Sequence, residues 1–321
     1  MSRSVSVAVL LVFLILVSFS VTVKAPQQCS PGGGNQRVCI TVHANLNLGL
    51  IDETIYSGAT PGGGGSFGDL ESLSNTVNVK SNPTWSLEIE ATATSAPAGF
   101  TGNLLADFQW RGGDQVAYTS FPALNTMMTV VASDTGNNVN VGMDYRYSVD
   151  IDDIPGSYSI TLQYTASNQL GYTISDTVTL SWDTYTWAQI AIHGAISLGI
   201  IDETIYSGAT PGGGGSFQAL ESTANNVFII TNDPDGWTLQ IEMTAKTEPV
   251  GFTGDLLADF QWRGGDQAIY TSFAALSTPM TVATTTSQGS QVYNIDYRYT
   301  GDTDDIPGNY SDTLQFTVTT G

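Results

Sequence analysis

The chain has 321 residues, of which 41% are hydrophobic and only 12% are charged. The hydrophobic content is enough for about two ordinary cores, at roughly 100–200 residues per domain, and it excludes a globally disordered chain. The formal net charge is −21. Nucleic acid and anionic lipid repel so acidic a protein, which excludes both as partners.

Residues 1–25 have the pattern of an export signal. Arg3 supplies a small positive region, and residues 5–17 supply an apolar stretch. Cleavage is expected after Ala25 or earlier, within residues 18–20, because small residues mark both places. The remaining chain is therefore predicted to be secreted and extracellular, or held at the cell surface.

An uncleaved N-terminal anchor is the alternative to cleavage. Residues 5–23 form a stretch of 19 residues, which just suffices to span a bilayer, so membrane contact is predicted only through this segment. Cleavage is favoured because the strictly apolar part is short. All 30 acidic residues but only seven basic residues lie beyond residue 25, which gives the exported part a net charge of −23.

Cys29 and Cys39 are the only cysteines of the chain, and they flank a short loop rich in Gly and Pro. In an exported protein this spacing predicts a disulfide. A loop of this length contributes roughly 2–3 kcal/mol at most in the loop-entropy model. We expect the bridge to clasp a lead at residues 26–37, ahead of the first folded domain.

Three blocks of sequence occur twice in the same order. Residues 48–67 (LGLIDETIYSGATPGGGGSF) return at residues 198–217 with a single difference. The other repeated blocks are residues 99–124 with 251–276, and residues 144–165 with 296–317. A repeat distance of 150 to 152 residues is a whole domain, since solenoid repeats run at roughly 20–50 residues. The sequence therefore predicts two domains, at residues 38–168 and 188–321, joined by a strand-containing linker at residues 169–187.

Short alternations of apolar and polar residues, separated by turn residues, predict about seven strands in each copy. In the first copy the strands are expected at residues 38–50, 75–80, 84–93, 104–111, 127–132, 139–147 and 157–165. No stretch shows helical periodicity beyond about two turns. The pattern predicts an all-β protein with two tandem immunoglobulin-like antiparallel β-sandwich domains after an N-terminal signal or anchor helix.

The linker contains an apolar alternation of its own, at Val178, Leu180 and Trp182, and this alternation predicts a strand. We expect it either to add an edge strand to the first domain or to pack between the domains. No counterpart follows the second copy, which runs to Gly321 directly after its last predicted strand. The second copy is therefore expected to keep an open sheet edge, which invites pairing with another chain.

Two acidic loops are candidate calcium sites, and calcium is the one candidate cofactor. Their residues are Asp150, Asp152 and Asp153 in the first copy, and Asp302, Asp304 and Asp305 in the second. Ca²⁺ takes six to eight oxygen ligands, so three carboxylates in four loop residues suit it, although the spacing of an EF-hand is missing. The alternative is an acidic turn whose Asp side chains accept hydrogen bonds from backbone amides.

Aromatic residues beside arginines are the other candidate site. Trp110 and Trp262 occupy matching strand positions and would form a sugar-binding platform if their rings were exposed. Arg111 and its counterpart in the second copy follow these tryptophans. We expect these arginines to pair with carboxylates such as Asp144 or to stack on aromatic rings.

No constellation of residues predicts an enzyme. His43 and His193 are the only histidines, and one imidazole per domain is too few for a zinc site. The G-x-S-x-G motif of a serine nucleophile is absent, and the Gly-rich loop lacks the Lys-Ser/Thr of a phosphate-binding loop. We therefore predict a non-enzymatic protein in which each histidine is hydrogen-bonded within a strand.

The order of a strand, a Gly-rich loop and a second strand resembles repeats of bacterial and archaeal surface proteins. The second strand begins with WSL at residues 85–87 and with WTL at residues 237–239, which is similar to the first motif of the cell-wall-binding WxL domain. The similarity covers about a third of each repeat. It implies a secreted β-sandwich surface protein.

Taken with the duplication, this resemblance predicts an extracellular structural or adhesive protein. The protein is expected to self-associate through strand edges as a filament or surface-layer subunit. The alternative function is a cell-wall or carbohydrate-binding module that uses Trp110 and Trp262. Its partner would then be a cell-surface polymer.

Overall fold

The computed structural model describes residues 26–31 and 36–321 of the chain. The predicted signal or anchor at residues 1–25 lies outside these ranges. The described residues are mostly β-strand, and their helices are single turns, so the predicted all-β class is confirmed. In these ranges no helix is both long and apolar enough to cross a membrane.

The first domain has two packed sheets. Its elements, in chain order, are β1 (Gln28–Cys29), β2 (Val38–Thr41), β3 (Leu46–Ile51), β4 (Tyr56–Ser57), β5 (Ser66–Phe67), β6 (Asp69–Ser81), β7 (Trp85–Ser95), α1 (Leu104–Asp107), β8 (Phe108–Gly112), β9 (Gln115–Ser120), β10 (Met128–Asp134), β11 (Val139–Ser148), β12 (Gly156–Asn168) and β13 (Thr173–Thr184). One sheet has the order β1-β2-β6-β11-β8-β9, and the other has the order β10-β7-β12-β13-β3. Alternate side chains of the long strands point between the sheets and form the core.

The second domain repeats this plan with fewer strands. Its elements are β14 (Ala188–Ile192), β15 (Tyr206–Ser207), β16 (Ser216–Phe217), β17 (Ala219–Thr231), β18 (Trp237–Thr247), α2 (Leu256–Asp259), β19 (Phe260–Gly264), β20 (Gln267–Ser272), β21 (Met280–Thr285), β22 (Gly289–Thr300) and β23 (Ser311–Thr320). The sheets have the orders β14-β17-β22-β19-β20 and β21-β18-β23. In each domain a small hairpin, β4 with β5 or β15 with β16, holds the ends of the Gly-rich loop together.

The single strand predicted at residues 38–50 is wrong. The chain forms β2 and β3 there, and these strands belong to opposite sheets. Between them Asn45 accepts a hydrogen bond from the amide of Thr179, with 2.9 Å between Oδ1 and N. The apolar alternation continues through the crossing, so the periodicity carries no sign of the change of sheet.

The strand predicted at residues 104–111 is correct only in its second half. Residues Leu104–Asp107 form one helical turn, and β8 begins at Phe108. The side chain of Asn103 caps this turn by accepting a hydrogen bond from the amide of Ala106. Leu and Ala are good helix formers and Asn is a preferred N-cap, so local preference explains the turn.

The linker strand β13 lies inside a sheet rather than at its edge or between the domains. It pairs antiparallel with β12 from Ser167 opposite Thr173 to Gly156 opposite Thr184, and it pairs parallel with β3 on its other side. The Trp182 ring lies 4.3 Å from the ring of Tyr147, centroid to centroid. The segment predicted as a linker is therefore an interior strand of the first sandwich.

The predicted disulfide between Cys29 and Cys39 is confirmed, with 4.0 Å between the Cα atoms. The two cysteines face each other in the pairing of β1 with β2, and β2 continues the sheet through β6. Cys39 is buried. The bridge therefore fastens the edge of the first sandwich rather than a separate lead.

The two domains contact each other through a small apolar cluster. Tyr56 of the first domain and Phe228 and Ile230 of the second domain pack with Trp187, which lies in the connection. The rings of Tyr56 and Trp187 are stacked with 6.5 Å between centroids. The buried Asn232 adds polar contacts to the same junction.

Candidate functional site

The second domain lacks the strand that completes the first. In the aligned repeats β23 corresponds to β12, but β12 lies between β7 and β13, whereas β23 pairs only with β18. Among the described residues, no further strand pairs with the free side of β23. One long edge of this sheet is therefore open.

The missing strand also changes the conformation of the opposite wall. Residues 188–200 are the sequence counterpart of residues 38–50, but only Ala188–Ile192 is a strand, and residues 193–200 form none. In the first domain the equivalent segment is β3, which is held by its parallel pairing with β13. Without that partner, the backbone groups of residues 193–200 lose their ladder of hydrogen bonds.

An open groove of about 880 Å³ lies where the missing strand would run. We define this open groove by its walls, residues 192–201 and the inner face of β23, and by a floor that includes Leu256 and Phe260. Ile200 on one wall is 76% exposed. The inner face of β23 carries Leu314, Phe316 and Val318, all half-buried. The matching residues of β12, which β13 covers, are Leu162, Tyr164 and Ala166, and each is 0% exposed.

One charged residue faces the open groove from β23. Asp312 occupies the position of Ile160 in the first domain, where an apolar side chain is completely buried. Its Oδ1 atom is buried and has no hydrogen-bond partner among the residues that the structure describes. Burial raises the pKa of Asp312 to about 6, and the nearby Glu248 adds to the increase while Lys246 opposes it.

In the sequence, the open groove is indicated only by residues 173–184, which have no match in the second copy. The residues that line it read as ordinary core positions, because their apolar side chains alternate as in any half-buried strand. The order of the strands in the sheet decides that these positions stay uncovered. The duplication is the one sequence signal that could have identified them, since it supplies the completed version for comparison.

The acidic loop of the first domain is an internally hydrogen-bonded turn. Asp153 is buried and accepts hydrogen bonds from the Tyr147 hydroxyl and from the amide of Asp150. Asp150 in turn accepts a hydrogen bond from the amide of Asp152, with 2.8 Å between Oδ1 and N. The loop of the second domain repeats these bonds. These contacts are those of the capping turn that was the alternative to calcium binding.

The burial of Asp153 makes the stability of the first domain depend on pH. Burial raises the pKa of Asp153 to about 7. The protonated side chain therefore contributes fully to the free energy of unfolding below about pH 4, and this contribution is lost as the pH rises toward 7. The loss is at most about 4 kcal/mol. We expect a higher melting temperature at pH 4.5 than at pH 8, and a flatter profile in Asp153→Asn, measured by calorimetry. The exposed Asp183→Asn serves as the control, and an unchanged slope in Asp153→Asn would contradict the assignment.

Calcium binding by these loops remains a prediction. Within the part of the chain that the structure describes, no group of three or more His, Cys, Asp or Glu residues is arranged to hold a metal ion. Carboxylates are nevertheless concentrated around the acidic loop of the first domain. Burial, together with the negative charges of Asp150 and Asp152, raises the pKa of the nearby Asp107 to about 6. A bound cation would relieve this repulsion after the loop carboxylates had turned toward it.

The calcium hypothesis predicts a higher melting temperature with millimolar Ca²⁺. The increase should disappear in the double variant Asp152→Asn/Asp304→Asn, which removes one ligand from each loop. Thermal unfolding followed by circular dichroism, with Mg²⁺ in parallel, measures the effect. A melting temperature that Ca²⁺ leaves unchanged in the parent chain would refute the hypothesis.

The predicted sugar platform is wrong for its assigned residues. Trp110 is 1% exposed and Trp262 is 0% exposed, so neither ring offers a face to a carbohydrate. The predicted arginine contacts are confirmed. Arg111 Nε lies 2.9 Å from Asp144 Oδ2, and the Arg111 guanidinium lies over the Tyr118 ring at 4.6 Å from its centroid.

The histidines are hydrogen-bonded as predicted, but they lie outside the strands. His43 Nδ1 donates to the carbonyl oxygen of Ala44, and His43 Nε2 lies 2.6 Å from the hydroxyl of Tyr145. Burial lowers the pKa of His43, which favours the neutral ring. His193 makes the equivalent pair of contacts in the second domain.

No protein-family model matches the chain, and no curated protein matches it either. Among solved structures, it is similar to a chaperone–tip adhesion subunit complex from archaic chaperone-usher pili of Acinetobacter baumannii. The TM-score is 0.39 at 12% identity, over 87% of this chain and 99% of that one. A tip adhesin of Pseudomonas aeruginosa has a TM-score of 0.32 at 11% identity, over 93% of this chain and 94% of that one.

A mutant of an enterotoxigenic E. coli adhesin is also similar, with a TM-score of 0.26 at 9% identity, over 93% of this chain and 88% of that one. These TM-scores and identities are low. They accord with the β-rich fold described above.

Proposed function

We propose that the chain is a non-enzymatic structural subunit of an extracellular or cell-surface assembly. In this assembly the open groove of the second domain takes up a β-strand from another copy of the chain. One observation carries the proposal. The same sandwich occurs twice in one polypeptide, completed by β13 in the first domain and left without that strand in the second.

The open groove of the second domain exposes the apolar face and the backbone edge that β13 covers in the first domain. The free edge of β23 presents backbone N–H and C=O groups that another strand can pair with, and such pairing is a general mode of recognition between chains. The inner face of β23 is only half-buried. Covering its apolar side chains contributes roughly 25 cal/mol for each Å² removed from water.

The alternative function is binding to a cell wall or carbohydrate, and the residues predicted to carry it are buried. Trp110 and Trp262 are core residues. The WxL-like motif does not replace them, since Trp85 is 1% exposed and donates its ring N–H to the carbonyl oxygen of Gly136. The strand-uptake proposal uses surface that is exposed, and for this reason we prefer it.

The test is to image the exported full chain by negative-stain electron microscopy, with and without a peptide of residues 173–184. This peptide has the sequence that completes the first domain, so it should occupy the open groove and prevent assembly. A control peptide with Leu180→Asp and Trp182→Asp should leave assembly intact. Discrete single chains without peptide, at every concentration tried, would refute the proposal.

A further inference from the structure

The first domain specifies which strand the open groove can accept. In β13 the inward residues Val178, Leu180 and Trp182 are 0–1% exposed, and the residues between them are polar. The strand runs antiparallel to β12 and parallel to β3. An occupant of the open groove therefore needs alternating apolar and polar residues over about seven positions, in an extended segment with no pairing partner of its own.

We infer that the occupant is residues 17–24 of a second copy, which requires cleavage of the export signal ahead of residue 17 rather than at the sites within residues 18–25. This inference rests on the proposed function and identifies the partner segment. The sequence is VSFSVTVK, in which Val17, Phe19, Val21 and Val23 alternate with Ser, Ser, Thr and Lys. Residues 178–184 of β13 (VTLSWDT) show the same alternation of apolar and polar residues. The preceding residues 7–17 are apolar without interruption, so the alternation is specific to this segment.

The segment is attached at the edge of the first domain, whereas the open groove belongs to the second. The described chain starts at Pro26, and Gln28 and Cys29 form β1 at the edge of the six-stranded sheet. The disulfide to Cys39 fixes this point to the first domain. Eight extended residues span roughly 26 Å, which is enough to pair along most of β23.

Insertion in the direction of β13 would also bring the positive end of the segment next to acidic residues. The C-terminal end of β13 lies opposite Gly156, beside the acidic loop that precedes β12. A strand inserted along β23 in the same direction places its own C-terminal end, and thus Lys24, beside Asp302 and Asp305. Lys24 is one of only nine basic residues in the chain, so its position at this end provides charge complementarity where acidic residues are concentrated.

The consequence of this arrangement is an open polymer. The segment is joined to the first domain through Pro26 and the open groove lies in the second domain, so the contact joins two different surfaces. Contacts of this heterologous kind build helical or linear filaments when they do not close into a ring. Each copy would offer one segment and accept one, which defines a head-to-tail order.

The experiment compares two double variants of the full chain that carry the same added charge. Phe19→Asp/Val21→Asp places carboxylates on the inward face of the segment, whereas Ser18→Asp/Ser20→Asp places them on the outward face. We expect filaments from the parent chain and the outward variant, and none from the inward variant. Equal assembly, or equal loss of assembly, in both variants would overturn the inference.

A binding measurement supplies the affinity. A labelled peptide of residues 17–25 is titrated with the chain of residues 26–321 and followed by fluorescence anisotropy. The inward substitutions should weaken binding at least about 100-fold, because two apolar side chains are no longer buried. Asp312→Ile, which copies Ile160 of the first domain, should strengthen binding. Binding that ignores the inward substitutions would contradict the assignment.

Two results separate this inference from the proposed function. Filaments that the peptide of residues 173–184 prevents, but that form equally from the chain of residues 26–321, would overturn the N-terminal donor and leave strand uptake intact. Mass spectrometry of assembled protein gives the second result. An N-terminus beyond residue 17 would likewise exclude residues 17–24 as the occupant.

Discussion

The variant Asn232→Ala is expected to uncouple the two domains. Asn232 is 0% exposed. Its Nδ2 atom donates to the carbonyl oxygens of Asp153 and Tyr185, and its Oδ1 atom accepts from the amide of Trp187 at 2.9 Å. Removal of this side chain takes the partner from two buried backbone groups, at a cost of roughly 1–3 kcal/mol each, and from the partly buried carbonyl of Tyr185. We expect the junction to lose about 2–4 kcal/mol after partial rehydration.

Limited proteolysis of the connection and small-angle X-ray scattering measure this uncoupling. Cleavage near residues 185–189 should accelerate, and the scattering should indicate a wider range of domain orientations. Asn82→Ala is the matched control, since Asn82 is the counterpart of Asn232 in the first repeat and is exposed. If both variants were cleaved at the parent rate, Asn232 would not hold the domains together.

Trp182→Ala is expected to have the largest effect on the first domain. The Trp182 ring is 0% exposed and is stacked on Tyr158, with 5.7 Å between centroids and an interplanar angle of 6°. Phe108 stacks against it on the other sheet at 6.3 Å. Truncation of a buried Trp to Ala typically costs about 3–5 kcal/mol. The total stability of a domain is about 5–15 kcal/mol.

Urea unfolding followed by tryptophan fluorescence and circular dichroism measures this loss. The exposed Thr177 lies on the same strand, so Thr177→Ala tests whether any change in β13 has the same effect. We expect the unfolding midpoint of the first domain to fall strongly only in Trp182→Ala. A decrease of less than about 1 kcal/mol in the free energy of unfolding would mean that the packing of the two sheets does not depend on the Trp182 ring.

The all-β class and the duplication could be read from the sequence because both depend on local pattern. Alternation places β7, β11 and β12 close to their predicted ranges, whereas β6 begins well before the strand predicted at residues 75–80. The disulfide follows from two cysteines in an exported chain. The split of residues 38–50 between two sheets could not be read, because it depends on which strands become neighbours. The helical turn after Asn103 was missed for a different reason, since four residues are too few to show a period.

The sequence predicted that the second domain would keep an open sheet edge, but it did not predict which residues would line the groove. The unmatched strand at residues 173–184 indicated an open edge in the second domain. Its placement between β12 and β3 could not be foreseen, since an edge position satisfies the same alternation. The sequence also could not show whether Trp110 and Trp262 are exposed. Alternation separates the two faces of a strand but does not indicate which face points into the core.

The parallel pairing of β3 with β13 has a mechanical consequence. A pull between the N-terminal side of β3 and the C-terminal end of β13 slides the two strands along each other. Parallel strands carry evenly spaced bonds, so the whole ladder from Leu46 opposite Leu180 to Ile51 opposite Thr184 is loaded at once. The first domain should therefore resist tension along the chain, whereas the second should yield at lower force until a strand fills its groove. In a filament of such subunits, each new joint would also restore the tensile strength of the domain that receives it.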